Sequence, residues 1–203
     1  MKGKVNICIF GDSIVYGQGD TEKGGWAIQL RNHFESRANK ELDARVYALG
    51  IRGETSQDLL KRLKAECIAR KPDIIFCAIG INDSQVSDSK KGTPLTPLSE
   101  FIKNIKGIFD IAEQFTNKIV FIGLTSVDES KTTPTDWGTY YDNENVKRYD
   151  TVIEEFCRKK EVTYIQINNL LSEADLFDGI HPNIEGHKKM FEKIRNNLEN
   201  VLS

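Results

Sequence analysis

Five short runs of apolar, largely β-branched residues punctuate the chain: Val5 to Phe10, Ala44 to Leu49, Asp73 to Ile79, Ile119 to Leu124 and Val162 to Ile167. Within each run apolar and polar positions alternate little, the pattern of strands covered on both faces. Between and after them the apolar positions switch to helical spacing. Residues 26 to 38 carry Trp26, Leu30 and Phe34, and residues 56 to 70 carry Leu59, Leu60, Leu63 and Cys67. Residues 97 to 116 carry Leu98, Ile102, Ile105, Phe109 and Ala112. Residues 143 to 159 carry Val146, Tyr149, Ile153 and Phe156, and a last helix carries His187, Phe191, Ile194, Leu198 and Val201. Start signals agree: Thr55 with Asp58 makes a capping box, Thr96-Pro97 a cap and first turn, and Asn183 a cap for the last helix. The second of these helices stops before Pro72.

A strand followed by a helix, five times over, predicts parallel neighbours, because a crossover containing a helix returns the chain in the same direction. The expectation is an α/β protein: a three-layer α/β/α sandwich around a five-stranded parallel sheet, with residues 1–203 as one domain. Two longer connections, 81 to 96 and 125 to 142, interrupt the layout.

The size and composition fit this picture. The chain has 203 residues, 39% hydrophobic and 29% charged, with a formal net charge of -2. That length buries a core without metal or disulfide staples. The charge balance offers no basic stripe, so nucleic acid is not an expected partner. The opening MKGKVNICIF is basic and then apolar, but its apolar run is too short for a signal peptide and ends at Gly11-Asp12. No stretch approaches a membrane span, so the expected location is cytoplasmic. Cys8, Cys67, Cys77 and Cys157 lie in apolar surroundings without C-x-x-C spacing, which reads as buried reduced thiols. His33 and His187 read as packing or surface residues. The oligomeric state, including a homo-oligomer, stays open.

Ligands bind beyond the carboxyl ends of strands in an open parallel sheet. Four polar clusters fall there: Gly11-Asp12-Ser13, Gly50-Ile51-Arg52-Gly53-Glu54-Thr55, Gly80-Ile81-Asn82-Asp83, and Asp178-Gly179-Ile180-His181-Pro182. They should meet on one edge. A serine hydroxyl needs a base, and His181 is the histidine in a loop at this edge. Asp178, three residues earlier, can hold its other nitrogen. The Ser13 N–H, the Gly53 N–H and the Asn82 amide are candidate donors to an oxyanion. Asp12 reads as tying down the turn, Asp83 as bracing its loop, and Arg52 and Glu54 as solvated surface or as lining the cleft, with Arg52 a candidate for substrate binding. Gly53 has a simpler reading as a helix-entry glycine. The glycines at 11, 17 and 19 lack the G-x-G-x-x-G spacing of a phosphate cradle. In the 125 to 142 connection, Trp137, Tyr140 and Tyr141 either cover an acyl or sugar group or, for Trp137, anchor the loop; Trp137 and Tyr140 are the candidates for substrate contact.

Together the four clusters resemble the SGNH hydrolases, or GDSL esterase/lipase family. Gly11-Asp12-Ser13 resembles its first block, Gly53 its glycine block, Gly80-Ile81-Asn82-Asp83 its G-x-N-D block, and Asp178-Gly179-Ile180-His181 its D-x-x-H block. The resemblance implies a flavodoxin-like sheet and hydrolysis of carboxylic esters, thioesters or acetylated sugars, with no metal or organic cofactor and a small-molecule ester as partner. The lipase or acylhydrolase reading has two rivals. One is acyl transfer or carbohydrate deacetylation at the same site. The other is a non-catalytic phosphate- or nucleotide-binding module.

Overall fold

The structure, a computed structural model, describes residues 5–36, 43–87, 89 and 92–202. The five apolar runs form strands β1 (Val5–Gly11), β2 (Ala44–Gly50), β3 (Ile74–Ala78), β4 (Ile119–Ile122) and β5 (Thr163–Ile165). All pair in parallel, in the order β2-β1-β3-β4-β5. This is the flavodoxin-like order, whose reversal point lies between β1 and β3. β1 and β3 are central and buried along almost their whole length, whereas β5 at the edge keeps an exposed Thr163.

Helices α1 (Ser13–Tyr16), α2 (Gly25–Glu35) and α7 (Ile184–Leu202) share one side of the sheet; α3 (Ser56–Arg70), α4 (Leu98–Ala112) and α6 (Asn143–Lys160) pack together on the other. A further short helix, α5 (Glu129–Thr132), lies in the long loop after β4. The predicted end of α2 at 37–38 and the side chain of Val201 lie outside the described residues. The four cysteines are buried and free, and burial pushes each thiol upward from its ordinary value.

The start signals act as read at two helices. Thr55 and Asp58 form a reciprocal capping box on α3, and Asn183 Oδ1 accepts the Gly186 N–H at 3.1 Å. At α4 the helix begins one residue late, at Leu98, and Thr96 makes no cap. Thr96 is drawn into the loop instead: its N–H donates to the Asp83 carbonyl at 3.2 Å, and its own carbonyl accepts the Tyr149 hydroxyl. Ile102 is a second correction. It is exposed, and Phe101 takes the buried place. The buried face runs through Phe101, Ile105, Ile108, Phe109 and Ala112. Ile102 lies one helical step, about 100°, round from Phe101.

Candidate active site

The switch between β1 and β3 fixes where the polar clusters meet. β1 ends at Gly11, packed so closely on β3 that a Cβ there would sit 2.2 Å from the Ala78 carbonyl oxygen. The chain then turns into α1, with Asp12 at its cap accepting the Ile14 N–H at 2.9 Å. Ser13 is thereby the first residue of α1, and it is almost wholly buried. Asp12 lies beneath the turn. Burial, with Asp83 and Glu54 nearby, pushes its carboxyl up to about 7.

His181 arrives from the loop before α7. Asp178 shapes that loop with one oxygen and orients the ring with the other. Its Oδ1 accepts the N–H groups of Ile180 and His181 at 3.1 and 2.9 Å, and its Oδ2 lies 2.7 Å from His181 Nδ1. His181 Nε2 is 2.8 Å from Ser13 Oγ. With Nδ1 protonated towards Asp178, Nε2 is the free acceptor for the serine proton. Burial alone would raise the Asp178 carboxyl, but hydrogen bonds from the His181 ring and backbone outweigh it and bring it down to about 2. It is therefore ionised at neutral pH.

Asn82 faces this pair from the turn after β3. Its Nδ2 donates to the Glu54 carbonyl at 3.0 Å, and its Oδ1 lies 3.3 Å from the Tyr141 hydroxyl. An amide nitrogen carries two hydrogens, so one remains for a ligand. Asp83 braces the same turn by accepting the Ser56 N–H and hydroxyl at 2.9 and 2.5 Å. Gly53 has φ +75, and a Cβ there would meet nothing within 4 Å. The positive φ, rather than crowding, is what favours glycine there.

Ser13, Gly53, Asn82 and His181 line one cleft of about 500 Å³ together with Arg52 and Trp137. Two expectations need correction. Glu54 is not solvated surface: it is 4% exposed, and Arg62 binds both its carboxylate oxygens. Arg62 also donates to the Leu49 carbonyl at 2.7 Å, which pins the loop carrying Gly53. Tyr140 does not line the cleft; its backbone pairs with Val86 in both directions at 2.9 Å. Successive side chains of an extended segment point to opposite sides, and it is Tyr141 that faces the site. Trp137 stands 53% exposed on the cleft wall.

Gln18, Gln85 and Ile180 also line the cleft and carried no signal of their own in the chain. Gln18 is held from behind by His187, whose Nε2 donates to the Gln18 carbonyl at 2.9 Å while its Nδ1 accepts the Trp26 N–H at 3.3 Å. Burial keeps that imidazole below its ordinary value, consistent with a neutral packing residue. Among the described residues no group of three His, Cys, Asp or Glu side chains is placed to hold a metal ion, and no helix is long and apolar enough to cross a membrane.

A family model described as "GDSL-like Lipase/Acylhydrolase family" matches residues 9–189. A GDSL esterase/lipase of Oryza sativa subsp. japonica is 24% identical over 95% of this chain and 76% of its own. The isoamyl acetate-hydrolyzing esterase of Saccharomyces cerevisiae is 24% identical over 94% of this chain and 84% of its own. Among solved structures, the acetylxylan esterase Axe2 from Geobacillus stearothermophilus superposes with a TM-score of 0.75 at 20% identity, covering 98% of this chain and 96% of that one. At that identity the likeness is one of fold.

Proposed function

The chain belongs to the GDSL-like lipase/acylhydrolase family, and from that premise we propose that it is a serine esterase working through an acyl-enzyme on Ser13. As a family member it is a carboxylic ester hydrolase. The observation that carries the finer reading is the unbroken relay from Ser13 Oγ to His181 Nε2 at 2.8 Å and from His181 Nδ1 to Asp178 Oδ2 at 2.7 Å, with the Asn82 amide lining the same cleft.

In this reading Ser13 Oγ attacks the acyl carbon as its proton passes to His181 Nε2. Asp178 keeps Nδ1 protonated and stabilises the imidazolium that forms. The carbonyl oxygen, now negative, takes hydrogen bonds from the Ser13 N–H, the Gly53 N–H and the free Asn82 Nδ2 hydrogen. His181 then gives its proton to the leaving alcohol, and the C–O bond to that alcohol breaks. A water deprotonated by His181 attacks the acyl-enzyme, releasing the acid and restoring Ser13.

Protonation of His181 before substrate arrives removes the acceptor at Nε2, so turnover should fall on the acid side. A non-catalytic binder of anions has no use for a base hydrogen-bonded to a serine, and that reading loses its support. Acyl transfer uses the same residues with an alcohol in place of water. The test is turnover of short-chain aryl esters by the wild type and by Ser13→Ala, with products analysed in the presence and absence of added alcohols. Loss of turnover in a folded Ser13→Ala variant is the expected result; retained turnover would remove the claim. Ester exchange in place of acid release would make the protein a transferase.

A further inference from the structure

The polar wall of the cleft is rich in donors. Gln18 Oε1 accepts Arg52 Nε at 2.7 Å. A guanidinium can only donate, so this contact fixes the Gln18 amide and turns its Nε2 towards His181, 3.3 Å from Nδ1. Because Nδ1–H is committed to Asp178, the Gln18 Nε2 hydrogens find no acceptor on the ring. The Asn82 amide is fixed in the same way by donating to the Glu54 carbonyl. The Tyr141 hydroxyl lies 3.3 Å from Asn82 Oδ1 and 2.7 Å from Gln85 Oε1.

The Gln18 and Gln85 oxygens thus each face a donor from the protein itself, and Asn82 Oδ1 has at most a share of the single Tyr141 hydroxyl hydrogen. N–H groups are the larger share of what a ligand meets: the amide nitrogens of Gln18, Asn82 and Gln85, the Gly53 backbone and the outer nitrogens of Arg52. Arg52 is exposed and makes no ion pair with a described residue. It is the one permanently charged side chain among the described residues lining the cleft. The carboxylate nearest the reaction centre, Asp178, is occupied by His181.

We propose that this cleft selects esters bearing a carboxylate, with the Arg52 guanidinium, braced by Gln18, as the anchor for that group. The inference rests on the esterase reading of the same site and narrows its substrate. A neutral sugar brings hydroxyl protons that need acceptors and no charge to pair with Arg52, and the Gln18 and Gln85 oxygens already each take a donor from the protein. A carboxylate brings only acceptors and matches a planar guanidinium with two oxygens. Trp137 gives the body of the substrate an apolar face.

Two ester pairs, each a carboxylate against its neutral methyl ester, test the proposal and locate the carboxylate. 4-Acetoxybenzoate against its methyl ester places the charge in the alcohol half. An aryl hemisuccinate against the aryl methyl succinate places it in the acyl half. In one pair the charged member should be preferred in kcat/KM by about fivefold or more at low ionic strength, mainly through KM. The preference should shrink in concentrated salt, and Arg52→Met should bring it close to one. Absence of a charge preference in both pairs, or its survival in Arg52→Met, overturns the proposal.

Calorimetric titration of the same four esters into Ser13→Ala reads the contrast without turnover. Tighter binding of a charged ester, lost on adding Arg52→Met, supports the carboxylate anchor even if the wild type hydrolyses nothing; that outcome would count against the esterase reading alone. Equal binding of charged and neutral members contradicts the anchor.

Discussion

Two clefts of similar size open at opposite ends of the sheet, about 500 Å³ at the carboxyl ends of the strands and about 450 Å³ at the amino ends. The second is lined by Val5, Asp73, Ile74, Phe115, Thr116 and Lys118 among others, and it too has polar groups. Those groups are occupied in starting strands. Asp73 Oδ2 accepts the Asn6 N–H at 2.7 Å, the Asp73 carbonyl accepts the Thr116 hydroxyl at 2.7 Å, and Thr116 Oγ1 accepts the Lys118 N–H at 3.0 Å. At the carboxyl end the chain turns from strand towards helix instead. The turns there leave a serine, an imidazole and an amide directed at one space. Volume does not separate the two clefts; strand direction does, because every parallel strand delivers its outgoing loop to the same edge.

The largest expected effect sets one end against the other. Asn82→Ala should lower kcat on the order of 10²–10³-fold by removing an oxyanion donor, while Asp73→Asn in the opposite cleft should leave steady-state ester kinetics unchanged. A comparable loss from both variants would erase the distinction between the two ends.

Tyr141→Phe sharpens it. The ring still fills its buried place, held by the Thr132 carbonyl, which accepts the Tyr141 N–H at 2.9 Å. Only the hydroxyl that steadies Asn82 and Gln85 is lost. A neutral hydrogen bond of this kind predicts a fall in kcat of roughly three- to tenfold with KM little changed. A change confined to KM would show that Tyr141 touches substrate rather than positioning Asn82.

A further effect is on stability rather than on turnover. Asp12 is buried beneath the serine turn and its carboxyl is pushed up to about 7, against about 4 in an unfolded chain. A carboxyl that holds its proton more tightly when folded adds stability below about pH 4 and loses it as pH rises through 7. Wild-type stability should therefore carry a downward slope over that window. Asp12→Asn keeps an oxygen to cap Ile14 and should flatten the slope in denaturant titrations at pH 5, 6, 7 and 8. An unchanged slope would place the proton elsewhere, for example on Glu54 or Asp83, which burial also raises.

Much of this was legible in the chain because the informative signals were local. The βα alternation yields the parallel sheet, and each polar cluster follows directly on a strand or on the loop after one. The D-x-x-H spacing lets one aspartate both shape a turn and hold a ring, a relation contained in four residues. What the chain hides depends on partners distant in sequence or on a change of face. Glu54 looked like surface because Arg62, which neutralises it, stands eight residues on. Tyr140 and Tyr141 look alike in the chain, because the pairing with Val86, which decides which ring faces inward, joins two loops more than fifty residues apart. Gln18 and Gln85 carry common amide side chains whose role exists only through what occupies their oxygens.

The central claim is that Ser13 is a nucleophile activated by His181, and covalent labelling reads it most directly. A fluorophosphonate should add one phosphonyl group to the intact protein, mapped by mass spectrometry to Ser13, absent in Ser13→Ala and strongly slowed in His181→Ala. No adduct on folded wild-type protein, or an adduct on another residue that survives Ser13→Ala, would contradict it.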